Sequence, residues 1–339
     1  MTNQLHREPD FENISKVLRC EKPSRPTLFE FFMNGNVYEA AAGPAPQSDD
    51  PVDHMAYMAR AFAACGYDYV NYPGCDFGFP TGEKTRKNTI SLNEHALIKN
   101  WDDFEAYPWP DPKTADYSRL EKIRPFLPGN MKVMTAGPNG LLENVIDIVG
   151  YENLCLMLYD APDLVRAIFD RVGGILVDYY ENCAQYDTVG ILMINDDWGF
   201  NTQTMLSVAD MRRYVFPWHK KMVEVAHRHG KFAVLHSCGY MVDIMEDIIE
   251  DMKFDGRHSY EDNIVPVEEA YRRWGGRIAI LGGLDVDFLI RSSDEEIVSR
   301  AKKMLALAEE KGGYALGSGN SIPEYIPNDK YFAMTSAAR

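Results

Sequence analysis

The chain has 339 residues, 45% hydrophobic and 25% charged, and its 35 Lys and Arg against 51 Asp and Glu give a formal charge of -16. That length suits one (β/α) barrel with insertions, and the acidic balance excludes nucleic acid and anionic membranes as partners, because both need a basic footprint. The six cysteines show neither a disulfide-framework spacing nor a CxxC pair, the first eight residues lack the apolar core of a leader, and no run approaches a membrane span; together these predict a soluble protein of the reducing cytoplasm.

In chain order, residues 11–22 predict a short amphipathic helix, with Ile14, Val17 and Leu18 on one side and Pro23 and Pro26 ending it. Leu28 to Phe32 is the first expected strand and runs into the turn composition Met33-Asn34-Gly35-Asn36. A helix is expected from about Val52 to Cys65, closed by Gly66, and a second strand at Tyr67 to Tyr72. From Pro73 to about Pro128 the alternation breaks down in a stretch rich in Pro and Trp, which predicts an ordered insertion or lid. A third strand at Lys132–Gly137 follows, then two helices over about 141–160 and 162–185, split at Pro162.

The second half is more regular. Strands are expected at Gly190–Asn195, Lys231–Leu235, Gly256–Tyr260, Arg277–Leu281 and Tyr314–Leu316. Between them lie helical stretches at Ser207–His229, broken at Pro217, then at Val242–Met252, Pro266–Trp274 and Asp294–Lys311. The last of these carries a capping box, Ser293 with Glu296, and the stop signal Gly312-Gly313. Eight strands alternating with helices predict a single-domain (β/α)8 TIM barrel. A doubly wound open sheet would carry a glycine fingerprint after its first strand, and Gly35 stands alone there.

In a barrel the residues just past each strand share one face, and the active site lies on it. Here they are Asn34, Asn71 with Cys75 and Asp76, Asn139, Asp196 with Asp197 and Trp198, His236 with Cys238, His258 with Glu261, Asp285, and Ser318 with Asn320. The pair His236-x-Cys238 offers a nitrogen and a sulfur of the kind zinc takes, with a third protein ligand and one open position expected of a catalytic ion. The same pair also fits a hydrogen-bonded core histidine beside a small buried thiol. Asp196 and Asp197 are adjacent carboxylates, so one pKa should rise and that acid could move a proton; either could instead cap a helix. Trp198 could wall a substrate pocket or pack over the barrel mouth. Asp285 could orient a ligand or cap a short helix.

These features together resemble the uroporphyrinogen decarboxylase superfamily over nearly the whole chain. The matching pieces are Asn195-Asp196-Asp197-Trp198-Gly199, His236-Ser237-Cys238-Gly239, Gly282-Gly283-Leu284-Asp285, and the block from Gly312-Gly313-Tyr314 through Pro323 and Pro327. The decarboxylases hold a polycarboxylate with arginines after the first strand, where this chain has Phe29 to Gly35 and no arginine. The cobamide-dependent methyltransferase branch binds zinc through a His-x-Cys pair plus a later cysteine, and that cysteine falls at Asn320. The resemblance therefore implies a corrinoid-dependent methyltransferase with zinc on His236, Cys238 and one acid, Glu261, Asp196 or Asp285. Asp196, Asp197 and Asp285 are the expected catalytic acids, and Asn34, Asn71, Trp198 and Asn320 the substrate contacts. A separate corrinoid protein is the expected partner, beside a small-molecule substrate. A metal-free decarboxylase and a non-catalytic binding barrel are the competing expectations.

Overall fold

The computed structural model describes residues 7–81 and 96–339. Residues 82–95, within the expected insertion, and the first six residues, on which the leader reading rests, lie outside the described residues. Seven strands form one all-parallel sheet in sequence order: β1 (Tyr69–Asn71), β2 (Lys132–Ala136), β3 (Val189–Asn195), β4 (Phe232–His236), β5 (Gly256–His258), β6 (Ala279–Leu281) and β7 (Tyr314–Ala315). Helices connect successive strands, and the sheet curls into a TIM-barrel-like α/β fold. Its strands are buried almost without interruption, as expected of a parallel sheet covered on both faces.

The first expected strand is corrected by its hydrogen bonds. Residues 27–33 form no strand, and their backbone bridges are isolated ones, Leu28 to Leu316 and Met33 to Ile322. On the side toward β1, the backbone of Glu30 is taken by a side chain instead: its N–H donates to the Tyr69 hydroxyl, which donates back to the Glu30 carbonyl. A tyrosine hydroxyl thus replaces the ladder that would make an eighth strand.

The helices follow their caps. Helix Pro51–Cys65 starts where Asp50 accepts from the Val52 N–H and stops at Gly66 in the left-handed region. Helix Asp294–Ala308 has the expected capping box on Ser293 and Glu296. The stretch expected as one helix over 141–160 breaks at Gly150, which has a positive φ, into Leu141–Val149 and Tyr151–Asp160. Helices at Gly35–Ala42, Trp101–Ala106 and Asn328–Ser336 were not anticipated, and Val286–Arg291 is the short helix that Asp285 caps.

Within the expected insertion, Arg119 donates to both carboxylate oxygens of Asp76, just past β1. The Leu120 carbonyl accepts from Thr188, just before β3 begins, and the Tyr117 ring lies tilted against that of Tyr179 of helix Pro162–Ala184, 5.9 Å between centroids. Among the described residues no helix is long and apolar enough to cross a membrane.

Candidate active site

Register brings the site together. In the sheet Asn195 pairs with His236 and His236 with His258, so three polar residues stand in a row at the ends of β3, β4 and β5. Same-level residues of neighbouring parallel strands point to the same face, and the two imidazoles meet: His236 Nδ1 lies 2.8 Å from His258 Nδ1. The other nitrogen of His236, Nε2, is 3.8 Å from Cys238 Sγ. Gly239 makes the turn possible after Cys238, at φ +88, and a Cβ there would collide with the Gly199 backbone.

Asp197 completes the group. Its Oδ1 accepts from the Cys238 N–H at 2.8 Å, and ligand atoms of Asp197, His236 and Cys238 all lie within 4.8 Å of one another. One oxygen, one imidazole nitrogen and one sulfur converging this closely suit a tetrahedral zinc with a fourth position open. Burial, and next the Asp197 carboxylate, push the Cys238 thiol up. Such a thiol is a poor free nucleophile, and a bound cation is what would ionise it. Burial lowers the pKa of His236 to about 4, keeping the ring in the neutral form a metal needs. The residues present therefore fit the ion.

The remaining expected ligands and acids sit elsewhere. Glu261 is outside the converging group; its Oε1 turns to the Gly239 N–H at 3.4 Å, so the carboxylate beside the His-Cys pair is that of Asp197. Asp196 is fully buried, with its oxygens accepting from the N–H groups of Leu142 and Glu143 and from Trp198 Nε1. It anchors the first turn of helix Leu141–Val149 and is corrected from proton carrier to structural cap. His219 Nε2 stands 3.2 Å from Asp196 Oδ2, off the line of a hydrogen bond, as an electrostatic neighbour. Asp285 is the N-cap of helix Val286–Arg291: Oδ1 accepts from the Asp287 and Phe288 N–H groups and Oδ2 from that of Asp262. Those bonds make Asp285 a helix cap.

The expected substrate contacts divide. Trp198 is fully buried against Phe216 and His219, which corrects its place on a pocket wall. Asn34 is likewise corrected, since it caps helix Gly35–Ala42 and its amide donates to the Pro323 carbonyl. Asn71 donates to the Phe31 carbonyl, and its own Oδ1 is buried without a partner. Asn320 does reach the centre: Nδ2 donates to Cys238 Sγ at 3.3 Å.

Glu143 is the group that sequence reasoning missed. Its Oε2 accepts from the Gly140 N–H at 2.7 Å, at the start of helix Leu141–Val149. Burial first, then the charges of Asp196 and Asp197, raise its pKa to about 8. The sequence held no capping-box signal for it, since Gly140 has no side chain to bond the Glu143 N–H. Beyond the centre opens a groove of about 980 Å³ lined in part by Phe32, Tyr260, Glu261, Asn320 and Tyr325.

Comparisons with known proteins agree with this architecture. The family model described as uroporphyrinogen decarboxylase (URO-D) matches residues 74–339. The chain is 23% identical to the uroporphyrinogen decarboxylase of Anaeromyxobacter sp. (strain Fw109-5), over 85% of this chain and 82% of that protein. It is 26% identical to that of Dechloromonas aromatica (strain RCB), over 55% of this chain and only 51% of that protein. Among solved structures, a methyltransferase from Methanosarcina mazei superposes with a TM-score of 0.69 at 18% identity, covering 96% of this chain and 97% of that one. At that identity the likeness is one of fold.

Proposed function

The chain belongs to the uroporphyrinogen decarboxylase (URO-D) family, and from that premise we propose that it is a zinc-dependent methyltransferase that passes a methyl group from a small methylated molecule to a corrinoid. The observation that carries the reading is the convergence of Asp197, His236 and Cys238. Zinc held there would supply Lewis acidity toward a donor oxygen. Cys238 is steadied by the Asn320 amide, which donates to its sulfur where the methyltransferase branch has a further cysteine. Asn71, with a buried and unpaired Oδ1, accepts from a substrate donor group.

A protonated Glu143 beside Asp197 favours the demethylating direction. As the carbon–oxygen bond breaks, the methyl group leaves for the reduced cobalt of a corrinoid, brought as substrate by a partner protein. Both electrons of the broken bond stay on the oxygen, and the Glu143 carboxyl gives that oxygen its proton. The wide groove beside Asn320 is where the corrinoid would approach. A reducing cytoplasm suits six cysteines that are all free.

Decarboxylation of a polycarboxylate fits less well. Among the described lining of the groove, the carboxylates Glu261, Asp262, Asp285 and Asp287 face a single arginine, Arg291, already paired with Asp287. Such a surface repels a substrate bearing many negative charges. The test is methyl transfer between methylated oxygen donors and free cob(I)alamin, read from the corrinoid absorption. Wild-type protein should form methylcobalamin, and His236→Ala and Cys238→Ala should lose that activity together with bound zinc. Equal turnover by the variants would end this reading.

A further inference from the structure

Behind His236 the structure places another histidine that the proposed chemistry does not use. His258 is fully buried, its ring lies 5.2 Å from that of Phe29, and its Nε2 stands 3.2 Å from the Ser318 carbonyl oxygen. A carbonyl can only accept, so His258 Nε2 carries a proton. A neutral imidazole has one proton, which leaves His258 Nδ1 a bare acceptor. The 2.8 Å contact between the two Nδ1 atoms then needs its proton from His236. With Nδ1 of His236 protonated, its Nε2 presents a lone pair on the side of Cys238 Sγ.

The acceptor that starts this chain is itself fixed. The Ser318 N–H donates to Glu30 Oε1 and its hydroxyl to Glu30 Oε2, each at 2.7 Å. Room for the imidazole comes from Gly282: a Cβ there would stand 2.9 Å from His258 Cδ2 and 3.0 Å from Nε2. Two aromatic rings pack against the imidazoles, Phe29 on His258 and Phe31 on His236. Orientation by an outer partner of this kind is how proteins select which nitrogen of a ligating histidine is free.

We propose that His258 is a positioning residue that locks His236 in the Nδ1–H tautomer and so aims its Nε2 lone pair at the space shared with Asp197 and Cys238. The inference rests on the metal reading for its purpose, but the tautomer exists with or without the ion. It predicts that nitrogen-15 NMR of the metal-free full chain finds His236 protonated on Nδ1. In His258→Phe the proton moves to Nε2 or becomes shared, and zinc affinity by chelator competition falls roughly 10- to 100-fold. His258→Asn, whose amide oxygen can replace Nδ1 as acceptor, restores both readings. His258→Gln, whose amide reaches toward Ser318 instead, does not. That pair decides the matter if the phenylalanine variant fails to fold.

A wild-type His236 protonated on Nε2, or an unchanged tautomer in His258→Phe and His258→Gln, overturns the proposal. A wild-type protein that binds no zinc defeats the proposed function alone, because the NMR measurement still decides the tautomer.

Discussion

Asp196 and Asp197 are neighbours in sequence and face opposite environments. Asp196 is sealed among two backbone N–H groups and an indole, whereas Asp197 faces Cys238. Sequence reading recognised the pair but could not divide it, because the division depends on how the chain leaves β3 and on a helix start 54 residues earlier. The His-x-Cys pair was readable for a simple reason: both residues follow one short apolar run, so their placement is local. Glu143 was not, since its raised pKa comes from burial against two aspartates distant in sequence. Its role can be checked directly. A general acid works while protonated, so wild-type demethylation should fall as pH rises through about 8. Glu143→Gln should lose roughly 10²- to 10⁴-fold in rate below that pH, with zinc content unchanged. A Gln variant with the wild-type pH–rate profile would remove Glu143 from the chemistry.

Elements show where local signals suffice. The start of the helix at Asp294 and the strand end at Asn195 follow from caps and apolar runs alone, whereas the strands expected to end at Leu235 and Tyr260 end at His236 and His258. Segment 27–33 reads as a strand by composition, yet Tyr69 supplies a long-range partner that no local pattern reports. Helix Gly35–Ala42 was hidden by its own start, Asn34-Gly35-Asn36, which has turn composition while Asn34 serves as the cap. Asp285 gives an element-scale test, because a cap and a catalytic acid respond differently to truncation. Asp285→Ala should lower stability by about 1–2 kcal/mol, measured by urea unfolding, with zinc binding retained. A loss of methyl transfer at unchanged stability would return Asp285 to the chemistry.

At the scale of the whole molecule, strand order and the position of the mouth were readable because the strand–helix alternation is regular over the second half of the chain. How the curled sheet joins its two edges was not. Part of that junction is Glu30, buried on the N-terminal segment and accepting from Ser318 just past β7. Burial raises its carboxyl from 4.5 to about 8. A group whose folded pKa is raised adds stability that is complete below its unfolded value and is lost as pH rises through the folded one. Thermal stability should therefore decline between about pH 4.5 and 8, and Glu30→Gln, which keeps a neutral side chain, should flatten that decline. Parallel melting curves for the two proteins would show that Glu30 is ionised in the fold. The metal centre remains the claim on which the functional account turns. X-ray absorption at the zinc edge of the reconstituted protein tests it most directly. The expected result is one zinc per chain with a single sulfur neighbour near 2.3 Å and nitrogen or oxygen near 2.0 Å, lost together in Asp197→Ala and Cys238→Ala. A protein that retains no zinc after reconstitution, or a shell without sulfur, would contradict it.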